Sequence, residues 1–239
     1  MSENYDLIFG LGASLLTADF LKKKNFQIFD FPFDYINGSN FLIRMSMFLN
    51  GCKNFIHKQQ ISEFGENPLF KRKQFIDKET QFIYPFDFNP DVPVENSYPT
   101  VKARYDKYIK HLYLFLRNAK KILIVYIEDP MTPEEDNDAL IIEATGKLKK
   151  LYPEKEFNII YVKNDDNDNE NMNVLKLNKN AYRFTFKFYG QFIEGTPKIL
   201  EEKLLSSVFA DIKLKADWNT KKMLWLQKAI QFLNKIIYK

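Results

Sequence analysis

Cysteine is almost absent. Cys52 is the only one in 239 residues, so no intrachain disulfide forms and a disulfide-stapled scaffold is excluded. Histidine is nearly as scarce, with only His57 and His111. One cysteine and two scattered histidines offer no zinc-ligand spacing, and no metal is expected. Eight glycines leave little room for several glycine-rich phosphate loops, and no cofactor is expected. Only five of the 35 basic residues are Arg. The lysines are spread along the chain and mixed with acids, unlike the clustered, Arg-rich charge of a nucleic-acid binder. Nucleic acid is therefore not an expected partner despite the net charge of +4. Long apolar runs are missing too. The strongest, residues 122–127, falls far short of the roughly 20 residues of a membrane-spanning helix. The opening MSENYDLIF carries acids where a signal peptide carries bases, so the expected location is the cytoplasm.

What is present suits one buried core. Hydrophobic residues make up 45% and charged residues 28%, the balance of a globular domain. No Gly/Ser-rich or proline-rich linker divides residues 1–239, which predicts a single domain. Residues 5–9 read as a strand, Gly10 and Gly12 as a tight turn, and Ser14 as the cap of a helix carrying Leu15, Ala18 and Leu21 at helical spacing. Lys22, Lys23 and Lys24 suit its C-terminus, and Asn25 its end. Residues 26–31 read as a second extended segment, and residues 40–49 as a helix stopped by Asn50 and Gly51. Residues 52–84 show no clear period, although 81–84 could be a strand.

Beyond the proline-punctuated loop 85–99 the signals sharpen. Pro99 suits a first helical position, with Val101, Tyr105, Tyr108, Leu112, Phe115 and Leu116 on one face. Residues 121–127 (KILIVYI) and 157–163 (FNIIYVK) lack alternation, as strands buried on both faces do. Between them Thr132, Pro133 and Glu135 make a capping-box start for a helix to about residue 151. This is one βαβ unit with a right-handed crossover. The predicted fold is α/β, a mainly parallel sheet flanked by helices, with edge strands at 174–177 and 182–188. The remainder of the C-terminal third reads as mostly helical, with starts at Thr196–Pro197 and at Asp217 or Asn219.

Chemistry is thinly signalled. Gly10-Leu11-Gly12 lies where phosphate loops occur, but the third glycine of a dinucleotide fingerprint is replaced by Leu15. A tight turn or an anion site at the helix N-terminus remains open. Ser14 is placed like a nucleophile after the first strand, yet neither histidine lies in the segment that serves such a serine; helix capping is the plain alternative. Cys52 with His57 could form a thiol–imidazole dyad, and a buried, inert cysteine is the plain alternative. Residues 165–171 (DDNDNEN) lack the glycine and glutamate of a calcium loop. The last helix, about 220–237, has an apolar side and five flanking lysines. It packs on the core or rests on a membrane surface.

The N-terminal region resembles a known family. Leu11-Gly12-Ala13-Ser14-Leu15-Leu16-Thr17-Ala18-Asp19-Phe20-Leu21, followed by Pro32-Phe33-Asp34-Tyr35, is similar to the pattern Leu-Gly-x-x-Cys-x-x-Ala-x-x-Leu and Pro-Phe-Asp-Trp. That pattern marks a bacterial and viral family without assigned function, described as papain-like cysteine peptidases. Phe86-Asp87-Phe88 stands where members carry His-Asp-Phe, and Ser97-Tyr98-Pro99 with Arg104-Tyr105 follows. The likeness covers residues 1–163 and leaves 164–239 as a variable region. It places the family cysteine at Leu15 and the family histidine at Phe86. Leucine forms no thiolate and phenylalanine accepts no proton, so nucleophilic catalysis loses both parts.

The resemblance therefore implies a pseudoenzyme, a noncatalytic relative. It would bind a small molecule, a glycan or a protein in a cleft lined by Gly12, Ser14, Asp34, Asp87 and Arg104. A link to surface-polysaccharide biosynthesis is implied by the family's associations. Two other readings stand beside it. One is an active hydrolase or transferase using Ser14 or the Cys52/His57 pair. The other is a membrane-surface accessory protein docking through its last helix.

Overall fold

The computed structural model describes residues 3–67, 71–129, 137–165, 172–188 and 202–215. In chain order the strands are β1 (Glu3–Tyr5), β2 (Leu7–Gly10), β3 (Ile61–Asn67), β4 (Arg72–Asp77), β5 (Ile83–Tyr84), β6 (Lys121–Ile127), β7 (Glu156–Asn164), β8 (Asn173–Asn178), β9 (Ala181–Phe186) and β10 (Ile212–Leu214). The helices are α1 (Leu15–Lys23), α2 (Phe41–Leu49), α3 (Val94–Asn118), α4 (Asp138–Leu151) and α5 (Glu202–Val208). The fold is mixed α/β around a mostly parallel sheet of order β2-β6-β7-β9-β8. β2, β6, β7 and β9 run parallel and β8 closes the edge antiparallel. The βαβ unit β6-α4-β7 is as the periodicity predicts.

Both faces of that sheet are covered, which explains its unbroken apolar runs. On one face Phe9, Ile122, Ile124, Tyr126, Ile159 and Tyr161 meet side chains of α2, α3 and α4. On the other, Ile8, Leu123, Val125, Ile127, Ile160 and Val162 meet Phe20 and Leu21 of α1 and Leu205 and Val208 of α5. Successive strand residues thus divide between two cores.

Several expectations are corrected. The first extended run is broken at Asp6, whose carboxylate accepts the Lys120 and Lys121 amides at 3.0 and 2.9 Å. β1 consequently leaves the main sheet and pairs in parallel with β10. Residues 26–31 form no strand, because the amides of Phe26 and Gln27 fold back onto Leu21 O at the end of α1. Residues 52–84 contain the antiparallel sheet β3-β4-β5, whose outer strand is largely exposed and so lacks a core-facing pattern. A bulge there places Gly65 at φ +105°, open to glycine but strained for other residues. α3 begins five residues before Pro99, directly after Pro93; Pro99 lies inside the helix and forgoes one i→i−4 bond.

β9 is interior rather than an edge, lying between β7 and β8. In the C-terminal third the described residues hold β8, β9, α5 and β10. The capping box at Thr132–Glu135, most of the acidic loop, and the helix starts at Thr196 and at Asp217 or Asn219 lie outside the described residues, as does the last helix. No helix among the described residues is long and apolar enough to cross a membrane.

Candidate functional site

The candidate site begins where β2 runs into α1, at the carboxyl end of the parallel strands. Leu11 and Ala13 continue the ladder, donating to Val125 O at 2.8 Å and Ile127 O at 3.2 Å. Gly12 between them has no alternative, since an added Cβ would lie 1.7 Å from Thr17 Oγ1. Gly10 is tight as well, with Thr17 Cγ2 at 2.9 Å. The two glycines let α1 close onto the strand, in keeping with the tight-turn reading.

Ser14 occupies the N-cap position with extended backbone, yet its side chain makes no capping bond. The cap comes from elsewhere, for Asn37 Oδ1 accepts the Leu15 amide at 3.1 Å. The backbone of Asn37 also pairs with Ile83 of β5, three residues before Phe86. One residue thus ties Leu15 and the segment before Phe86 to a common strut. Leu15 is half-buried, and Phe86 is 38% exposed. Ser14 Oγ and Thr17 Oγ1 are buried without a hydrogen-bond partner, and no histidine reaches either.

Beneath this loop lies Arg44 of α2, fully buried. Its guanidinium donates to Gly12 O, to Leu11 O at 3.4 Å and to Ala13 O at 3.3 Å. It also holds Ile36 O at 3.2 Å and Gly38 O at 2.7 Å. The planar fork of donors suits two chain segments at once. Buried Glu128 and Asp129 follow β6 beside the loop; Glu128 Oε2 accepts the Asn164 amide at 2.9 Å.

The five residues predicted to line one cleft are not brought to one place. Gly12 and Ser14 sit at the N-terminus of α1. Asp34 sits beside Lys22 in the last turn, about 12 Å along the helix at 1.5 Å per residue. Its carboxylate accepts from Gln27 Nε2 and from the Phe31 amide at 2.8 Å, and lies 3.6 Å from Lys22 Nζ. Burial pushes the Asp34 pKa up to about 7, against the pull of Lys22. Its other oxygen, Oδ1, is buried without a partner. Burial works against the charge on Lys22, but Asp34 and Asp30 outweigh it and its pKa is raised.

Asp87 and Arg104 do meet, at 3.3 Å, and Tyr105 donates to Asp87 at 2.9 Å. Burial raises the Asp87 pKa, opposed by Tyr105 and Arg104. An aromatic bridge joins this pair to the Asp34 group. Tyr35 stacks on Tyr108 at 5.7 Å, and Tyr108 meets Tyr105 edge-on at 5.8 Å.

Cys52 and His57 form no dyad. Cys52 Sγ lies 3.8 Å from Tyr113 OH, and burial pushes its thiol up to about 12, far from a thiolate at neutral pH. His57 gives its backbone amide to Asp77 at 3.3 Å, and its Nδ1 is buried without a partner. His111 rests edge-on against Phe29. Among the described residues no group of His, Cys, Asp and Glu could hold a metal ion.

Sequence reasoning passed over Arg44, Asn37, Glu128 and Asp129. A charged residue inside the apolar helix FLIRMSMFL was the available signal for Arg44, and Glu-Asp closing a doubly buried strand was the signal for the carboxylates. Asn37 carried none, because its role depends on a partner 22 residues away. No protein-family model, no curated protein and no solved structure matches this chain.

Proposed function

We propose that the chain is a noncatalytic relative of the papain-like cysteine peptidase family that works by binding a ligand or partner near the β2–α1 loop. The observation that carries this reading is the missing nucleophile–base pair. At the family positions stand Leu15 and Phe86, and neither Ser14 Oγ nor Cys52 Sγ is hydrogen-bonded to a histidine. General-base activation needs such reach, of about 2.6–3.2 Å or somewhat looser without substrate. A role beside surface-polysaccharide assembly is the biological setting the resemblance favours, and a cytoplasmic location goes with it.

The test is a hydrolysis screen of generic ester, thioester and peptide substrates with the protein and its Ser14→Ala and Cys52→Ala variants. Background rates alike in all three are expected. Turnover by the parent that disappears in either variant would establish an active hydrolase and end this reading.

A further inference from the structure

A cavity lies at the opposite end of the sheet. It is a groove of about 710 Å³ between the C-terminal half of α4, the start of β7 and the β8–β9 turn. That volume falls within the roughly 300–1,000 Å³ of small-molecule sites. Phe157 lies in its lining, ring against ring with Tyr152 at 5.4 Å.

Gly146 opens it. A glycine inside a helix costs about 1 kcal/mol relative to alanine, and packing does not demand this one, since an added Cβ would meet nothing within 4 Å. Its missing side chain leaves room in the groove.

The charges of the groove divide into used and unused. Lys155 Nζ is held by the carbonyls of Arg117 and Ala119 at 3.0 and 2.6 Å. Glu156 is engaged by Lys121 at 3.4 Å, and Lys149 by Pro153 O at 2.6 Å. Glu154 and Lys179 line the groove as well, and among the described residues neither has an ion-pair or hydrogen-bond partner. They are not paired with each other, so a gap separates opposite charges. Glu154 stands three residues past the end of α4, where the helix dipole adds negative potential. Lys179 sits on the β8–β9 turn. Beside it Asn180 spends its amide nitrogen on Phe157 O and Asn158 Oδ1 at 2.9 and 3.1 Å, and its amide oxygen has no partner among the described residues.

From this arrangement we infer that the groove binds a small zwitterion of the short-peptide class. Its ammonium end lies at Glu154 and the α4 C-terminus, and its carboxylate end at Lys179. The groove stands at the amino ends of the strands, so this site is independent of the β2–α1 reading.

Triglycine, N-acetyl-triglycine and triglycinamide, titrated at millimolar concentrations and followed by amide NMR shifts, test it. Triglycine is expected to shift the amides of residues 145–149, 154–157 and 178–180. Each blocked form is expected to bind at least about tenfold more weakly, the loss of one charge-assisted contact. Gly146→Leu fills the groove, favours the helix and should abolish the shifts. Glu154→Gln should erase the difference between triglycine and its acetylated form, and Lys179→Gln the difference from the amide. Absence of groove shifts with triglycine, equal binding of all three compounds, or unchanged binding by Gly146→Leu would overturn the inference.

Discussion

The two ends of the central sheet are built on opposite plans. At the carboxyl end, where open α/β sheets ordinarily hold ligands, the β2–α1 loop is held rigidly from beneath. Arg44 is spent on backbone carbonyls, Asn37 on the helix cap, and Gly12 touches Thr17. At the amino end, Gly146 faces open space, and Glu154 and Lys179 border a groove. One end turns polar groups inward to hold the chain, and the other leaves them for solvent or a ligand. A glycine can therefore mean contact at one end and vacancy at the other.

Arg44→Met strikes the packed end hardest. It removes the donor shared by five carbonyls, and urea denaturation should show a loss of about 3–5 kcal/mol, the range for dismantling a buried charged network. A loss below about 1 kcal/mol would mean that the loop does not depend on it.

Asp34 comes next, through pH. Its folded pKa of about 7 stands above the ordinary 3.8, so between those values the folded state holds a proton that the unfolded state has released. Its contribution to stability is therefore fully present below about pH 4 and declines as pH rises towards 7. Asp34→Asn removes this slope. The difference in stability between variant and parent should shift in the variant's favour by on the order of 2–4 kcal/mol from pH 4 to pH 7. A pH-independent difference would mean that Lys22 keeps Asp34 ionised throughout.

The two glycines sharpen the contrast directly. Gly12→Ala drives a methyl group into Thr17 and should cost about 1–3 kcal/mol by overpacking. Gly146→Ala should do the reverse, raising stability by about 0.5–1 kcal/mol in thermal or chemical denaturation. If both substitutions changed stability alike, the distinction between the packed and open ends would fail.

The central strands were legible because burial on both faces leaves a local trace. Residues 122–127 and 159–162 carry no charged or amide side chains within the sheet, and the residues between the two strands carry a helical period ending at Leu151. The β3-β4-β5 sheet was obscure for the converse reason, since its outer strand is mostly exposed. The α3 start falls earlier than the sequence suggests, because Pro93 and Pro99 offer the same local signal and the helix begins directly after the first.

The candidate site was half legible. The tight turn was accessible from residue type and spacing, Leu15, Phe86, Asp87 and Arg104 were singled out only by the resemblance, and the pairing of Asp87 with Arg104 came from the fold. The single cleft was not legible, because helix geometry separates Ser14 from Asp34. Cys52 and His57 are five positions apart in sequence, yet each is claimed by a different element, Tyr113 of α3 and Asp77 of β4.

Residue identity and local period were enough for the class of fold, because burial of a strand on both faces leaves its mark in a short stretch of chain. Long-range packing sets the rest: Asn37 caps α1, Arg44 locks the loop, Cys52 and His57 are claimed by different elements, and Glu154 and Lys179 border one groove. Each of those depends on residues distant in the chain whose meeting costs entropy that only the collective packing of the fold repays.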